Sequence, residues 1–215
     1  MSKRLKMHIL TAVCGIAMTA LAGLAQAVPT SAFEINSPIG FSNGSWSFGE
    51  IFTVGSSSIN VTSLGAFDEG KNGFVTTTGI KVGLFRESDG ALLASTNVLS
   101  TDGLVGNYRF HDIVDVVLNA NTQYRVVGVN ESDLYNVSGP PSVVDPSITW
   151  NGYGYCNTTS LTFCNVFNVN NTGNNFTWMA NFQIDGTGNV PEPQTMLLVA
   201  AAALALAASR RRKQV

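Results

Sequence analysis

The sequence predicts an all-β domain, a β-sandwich or jelly roll of about eight strands, on three observations. Short runs of β-branched and aromatic residues recur between Val28 and Gly186. Clusters of Gly, Asn, Asp and Ser separate them, and the region shows no convincing amphipathic helical periodicity. The candidate strands are Ser47 to Val54, Ile59 to Phe67, Thr77 to Arg86, Ala91 to Asn97, Tyr108 to Leu118, Thr122 to Val129, Ser147 to Trp150 and Phe176 to Ile184. In Gly79-Ile-Lys-Val-Gly-Leu-Phe85 and Tyr124-Arg-Val-Val-Gly-Val129, one side of the pleat is apolar and the other small or charged. Ser88-Asp-Gly90 reads as a hairpin turn, because Asp-Gly tolerates the positive φ that a tight hairpin needs.

Composition points to the same class. Charged residues make up only 12% of the 215 residues, so the polar surface is built from Asn, Ser, Thr and Gly. That balance suits an extracellular β-protein. Lys3, Arg4 and Lys6 lie at the front and Arg210, Arg211, Arg212 and Lys213 at the back, leaving 5 basic residues against 13 acidic ones between residues 28 and 189. The middle therefore carries 5 − 13 = −8. Phosphate binding needs clustered Lys and Arg, so nucleic acid is excluded as a partner.

Residues 1–27 combine a basic start, an apolar run from Ile9 to Leu24 and the small-residue site Ala25-Gln26-Ala27. This order is that of a secretory signal peptide, with Ala25 and Ala27 supplying the small side chains that signal peptidase requires. Residues 28–186 then form the exported domain, and residues 187–215 a separate tail.

The tail reads Val190-Pro191-Glu192-Pro193, then the apolar block Met196 to Ala208, then Arg210-Arg-Arg-Lys213. As a helix, Thr195 to Ser209 would reach about 22 Å, short of the ~30 Å hydrocarbon core. The block is nevertheless apolar all round and ends in four cations that would stay at the cytoplasmic face and snorkel, which favours a short membrane-inserted helix. These three parts in this order resemble the PEP-CTERM sorting signal of Gram-negative bacteria. The resemblance implies recognition by an exosortase, a membrane-embedded transpeptidase-like enzyme. It also implies removal of the tail near Pro191-Glu192-Pro193, after transient membrane anchoring, and release to the cell surface or an exopolysaccharide matrix.

Gly49-Glu-Ile-Phe-Thr-Val54, Ser63-Leu-Gly-Ala-Phe-Asp68, Val82-Gly-Leu-Phe85, Gly90-Ala-Leu-Leu-Ala-Ser95 and Leu118-Asn-Ala-Asn-Thr-Gln-Tyr124 carry a second resemblance. Over residues 45 to 130 the chain is similar to an uncharacterised β-sandwich domain of secreted bacterial proteins, which implies a fold and no activity. Cys14 falls in the signal peptide, so the exported domain keeps Cys156 and Cys164. An even pair in an oxidising compartment is expected to form a disulfide. A zinc site would need two further ligands, and the domain has one histidine.

Several constellations bear on chemistry. A Ser-His-Asp hydrolase would have to use His111, and no Gly-x-Ser-x-Gly elbow is present. Asp112 with Asp115, or Asp68 with Glu69, would be the carboxylate pairs of a secreted glycoside hydrolase. No P-loop or dinucleotide fingerprint occurs, and no cofactor or metal is expected. Asp68-Glu-Gly-Lys-Asn-Gly73 offers oxygens for Ca²⁺ but has no EF-hand spacing and contains Lys71, which favours a plain turn. Seven Asn-x-Ser/Thr sequences occur, Asn43, Asn60, Asn157 and Asn175 among them, at a frequency that chance explains in a chain this rich in Asn, Ser and Thr.

Trp150-Asn-Gly-Tyr-Gly-Tyr-Cys156 is the strongest ligand signal. Trp150, Tyr153 and Tyr155 among glycines would make an exposed carbohydrate platform, since aromatic faces stack on sugar C–H faces. The favoured reading is that these rings fill one end of the core, as Trp46 and Trp178 are expected to. The functional expectation is an exported, non-catalytic surface or matrix protein that binds exopolysaccharide or packs within it. A polysaccharide-active enzyme and a purely structural or adhesive module are the alternatives. N-terminal sequencing of the exported chain should return Val28, whereas recovery of Met1 would overturn the signal-peptide reading.

Overall fold

The computed structural model describes residues 28–164, 167–168 and 177–186. They form β1 (Thr30–Ser31), β2 (Phe33–Glu34), β3 (Gly40–Phe41), β4 (Trp46–Val54), β5 (Ile59–Phe67), β6 (Ile80–Arg86), β7 (Leu92–Val98) and β8 (Gly103–Val105). There follow β9 (Tyr108–Leu118), β10 (Gln123–Val129), β11 (Tyr135–Asn136), β12 (Val143–Val144), β13 (Ile148–Asn157), β14 (Phe167–Asn168) and β15 (Ala180–Ile184). Among the described residues the sole helical element is the 3-10 turn Glu69–Lys71. The predicted short transmembrane helix, the signal peptide and Phe176 lie outside them.

One sheet has the order β1-β15-β5-β9-β8 and the other β14-β13-β4-β10-β6-β7, and the two pack as a sandwich. The all-β sandwich read from the sequence is borne out. Two small ribbons, β3 with β11 and β2 with β12, complete the topology. The β6–β7 hairpin turns at Gly90, whose φ of 67° and N–H bond to the Arg86 carbonyl at 2.9 Å realise the Asp-Gly turn.

Strand alternation decides what the sandwich buries. Phe48, Phe52 and Val54 of β4, Tyr124 and Val126 of β10, and Ile80, Val82 and Leu84 of β6 face inward. They meet Ile59, Val61, Leu64 and Ala66 of β5 and Phe182 and Ile184 of β15. Phe52 and Phe182 approach to 4.7 Å between centroids, with Phe33 edge-on to Phe182 at 5.9 Å. Each such side chain contributes about 1.5–3 kcal/mol by leaving water.

The opposite face of the six-stranded sheet is also buried, which its small and charged residues do not suggest. Arg125 on β10 is fully buried there, beside Ile51, Phe85 and Val127. Its guanidinium grips Glu87 with two bonds, Nε to Oε2 at 3.0 Å and Nη2 to Oε1 at 2.6 Å. Its Nη1 donates to the Cys164 carbonyl, and the Phe163 ring lies 4.3 Å from the guanidinium carbon. Gly49 makes the room: a Cβ there would meet Arg125 Cδ at 2.6 Å. The cover is the segment ending at Cys164, whose Thr162 carbonyl accepts from Ser47 Oγ at 3.2 Å.

The expected disulfide between Cys156 and Cys164 is present, with Cα atoms 5.7 Å apart. It closes a loop of sequence separation 8 over the arginine. Reducing it should cost about 2–3 kcal/mol by loop entropy. Arg125→Ala should cost more, about 3–5 kcal/mol, because it strands the Glu87 carboxylate. Denaturant unfolding of both forms measures this, and an unchanged midpoint with titrated thiols would remove the strap from the account of stability.

Candidate functional site

Trp150 and Tyr153 are three residues apart, so strict alternation would send their side chains to opposite faces of the sheet. A β-bulge prevents that. Trp150 pairs with Phe52, then Gly152 with Ile51, Tyr153 with Glu50 and Tyr155 with Phe48, so Asn151 is the extra residue. Gly152 takes a φ of 135°, a conformation that side chains rarely adopt. Asn151 is held by Thr53, whose Oγ1 donates to its Oδ1 at 2.6 Å. All three aromatics thus share the inner face with Phe48, Glu50 and Phe52.

The expected exposed platform of all three is not formed: Tyr153 is 6% exposed and part of the core, Trp150 and Tyr155 are half-buried, and only the two tyrosines share a cavity. Tyr153 and Tyr155 stack at 6.0 Å with 25° between planes, and both line an open groove of about 440 Å³. Phe41, Asn43, Trp46, Phe48, Tyr135, Val137 and Thr177 complete its lining. Trp46 stands edge-on to Tyr155 at 5.9 Å, and Phe48 contacts Tyr135 at 4.5 Å. Trp150 instead packs on buried Trp178 at 5.4 Å and donates its indole N–H to Glu50 Oε2 at 3.0 Å. The arrangement is therefore a groove with one wall of tyrosines, opening from the aromatic end of the core, with Trp150 behind it.

The groove's polar group is fixed. Asn43 Oδ1 accepts from Trp46 Nε1 at 2.7 Å and from the Tyr135 hydroxyl at 2.8 Å. Burial pushes the Tyr135 phenol up, so it remains an O–H donor. With both donors on the oxygen, Asn43 has its NH₂ to offer outward. Sequence reasoning singled out Asn43 only as an Asn-x-Ser site and assigned Trp46 to the core. The alternation Trp46-x-Phe48-x-Glu50 opposite Asn157-x-Tyr155-x-Tyr153 is the signal that joins them, but it is visible only once the pairing of β4 with β13 is known.

Behind the groove lies a buried carboxyl. Glu50 is 1% exposed, and its Oε1 finds no hydrogen-bond partner among the described residues. Burial raises its pKa well above the ordinary 4.5, opposed by the Trp150 hydrogen bond and the Arg125 charge. The Tyr108 hydroxyl is likewise buried and unpartnered among the described residues, its pKa raised by burial and then by Glu50.

The other candidates are engaged separately. His111 Nδ1 lies 3.0 Å from Asp102 Oδ2, and the ring is part-exposed. Asp112 accepts from Ser63 Oγ at 2.9 Å, and Asp115 from Asn60 Nδ2 at 2.8 Å. Asp68, the buried carboxylate of the suggested calcium turn, accepts from Arg109 Nε at 2.6 Å and from the Gly73 N–H at 3.1 Å. The cation in that turn is an arginine. Among the described residues, no three His, Cys, Asp or Glu side chains are grouped to hold a metal.

Val190, Pro191, Glu192 and Pro193, the cluster Arg210 to Lys213, and Ala25 and Ala27 lie outside the described residues. Among those described, no helix is long and apolar enough to cross a membrane. Comparison with family profiles settles the tail: residues 189–213 match the PEP-CTERM protein-sorting motif. The chain carries a PEP-CTERM sorting signal. The match begins one residue before Val190 and ends on Lys213, so it takes in the Pro-Glu-Pro element, the apolar block and the cation cluster. A PEP-CTERM signal implies export, transient membrane anchoring and processing by an exosortase. No curated protein matches the chain.

Glu50 gives the exported domain of this PEP-CTERM-bearing chain a pH signature. Its folded-state pKa is raised, so the folded chain holds a proton that the unfolded chain has released above 4.5. Stability from this group is fully present below that value and falls as pH rises above it, by at most about 1.4 kcal/mol per pH unit. Glu50→Gln should flatten that fall and raise stability at neutral pH, because the amide still accepts from Trp150. Urea midpoints over roughly pH 4 to 8 give the comparison; parallel curves for the two proteins would show that the fold does not raise the pKa of Glu50.

Proposed function

We propose that the chain is an exported, non-catalytic surface or matrix protein that exosortase processing releases and that the aromatic groove retains on extracellular polysaccharide. The observation that carries this reading is the groove itself, an open cavity lined by six aromatic rings beside one oriented amide. Rigid aromatic walls with a few fixed polar groups are the usual makeup of sites for small organic ligands, of about 300–1,000 Å³. Sugar rings present the C–H faces that such walls stack against.

The non-catalytic part rests on how the carboxylates are used. Asp68 is bound by Arg109, Asp112 by Ser63 and Asp115 by Asn60. A glycosidase needs two carboxyl groups facing one another across the scissile bond, about 5–10 Å apart, in a cleft that admits the sugar. Among the described residues, neither Asp nor Glu lines the groove.

The test uses the full chain in its native host, comparing wild type with a Trp46→Ala, Tyr155→Ala variant by fractionation and mass spectrometry of the C-terminus. Both proteins should lose the tail near Pro191-Glu-Pro193. Wild type should then be recovered with the matrix and the variant in the medium. Equal retention of a variant whose Cys156–Cys164 disulfide has formed would remove the groove from the function, and release of reducing sugar by purified wild type would favour the enzyme.

A further inference from the structure

We infer that the groove is selective for uncharged glycans. This rests on the polysaccharide reading above and adds to it the chemical class of the ligand.

The first observation is the lining. Among the described residues its side chains are aromatic, aliphatic, amide or hydroxyl, and none is a cation or a carboxylate. A uronate or sulfated sugar would leave water for a wall with no counter-charge, and burying an unpaired charge costs several kcal/mol.

The second is the state of the domain's cations. Between residues 28 and 189 there are five, Lys71, Lys81, Arg86, Arg109 and Arg125. Lys81 is paired with Glu131 at 2.7 Å, Arg86 with Asp89 at 2.7 Å, Arg109 with Asp68 at 2.6 Å and Arg125 with Glu87 at 2.6 Å. Lys71 does not line the groove. A polyanion is therefore offered no cation at the groove, and it meets a domain carrying 5 − 13 = −8. Like-charge juxtaposition suppresses wrong partners.

The third is the polarity of the hydrogen-bonding groups. Asn43 has its oxygen filled by Trp46 and Tyr135 and presents its NH₂, which suits a hydroxyl or ring oxygen as acceptor.

The processed chain, purified from its host, is titrated with soluble neutral polysaccharides (β-glucan, mannan, galactan) and anionic ones (alginate, polygalacturonate), followed by tryptophan fluorescence and calorimetry. At least one neutral polymer should bind, with an affinity that changes less than about twofold across roughly 0.05–0.5 M salt, because no ion pair is formed. Asn43→Ala and Tyr155→Ala should each weaken it about tenfold. Far-UV dichroism and the intact disulfide confirm their folding.

Binding of the anionic polymers with strong salt dependence would overturn the selectivity and leave the polysaccharide reading standing. Binding of neither class would overturn both. Neutral binding unchanged in both folded variants would move the site off the groove, and capture of a fatty acid in place of any glycan would make the groove a lipid site; either result overturns the inference.

Discussion

Strand β13 carries one residue more than β4 has partners for between Trp150 and Gly152, and the aromatic end of the molecule depends on that excess. Because side chains alternate with period two, pairing the same residues without the bulge, with Asn151 opposite Ile51 and Gly152 opposite Glu50, would turn Tyr153 and Tyr155 to the other face of the sheet, away from Trp46 and Phe48. The bulge is stable for local reasons. Gly152 accepts the positive φ, and the displaced Asn151 finds Thr53 at 2.6 Å and Gln123 at 3.4 Å on the far face. A backbone irregularity of one residue thus decides which face receives the two tyrosines.

From β4 outward, the two faces of the six-stranded sheet solve different problems. The inner face buries Phe48, Phe52 and Val54 against the second sheet and continues past its end as the groove. The outer face has no second sheet, yet Arg125 there is fully buried under a short disulfide-closed segment. A guanidinium suits that position because it satisfies a carboxylate, a carbonyl and a ring face at once. Its charge also acts through the sheet to favour ionised Glu50, but burial is the larger effect and the carboxyl stays raised.

The long strands were legible because their hydrophobic alternation is local. Ile59–Phe67 and Tyr108–Leu118 coincide with the predicted runs, and β4, β6, β7 and β10 lie within three residues of theirs. β13 was read only as far as Trp150, since Gly152 and Gly154 look like loop residues; in the fold they are a bulge residue and a ladder residue opposite Gly49. The two-residue strands β2 and β12 were invisible because they pair across more than a hundred residues of sequence. The same reason hid half of the groove. Phe41 and Tyr135 meet only through the β3–β11 ribbon, with rings 5.8 Å apart, and nothing within either segment announces the other. The disulfide was readable from cysteine count and compartment, whereas its role over Arg125 required the tertiary structure.

Charge ties the domain to its sorting signal. Seven of the chain's 12 cations lie in residues 3–6 and 210–213, and four of the five in between are neutralised by a carboxylate within 2.7 Å. At the tail, each of the four cations that end the apolar block would cost about 2.5–3.5 kcal/mol at a hydrocarbon centre, so together they oppose passage through a membrane. Within the domain the requirement is opposite. A surface of unpaired lysines would bind anionic lipid and polyanions wherever the chain met them, whereas a net charge of 5 − 13 = −8 with four of five cations paired is repelled by such surfaces. The recognition proposed above is then left to contacts that need no charge, and the groove of rings and amide is built from such contacts.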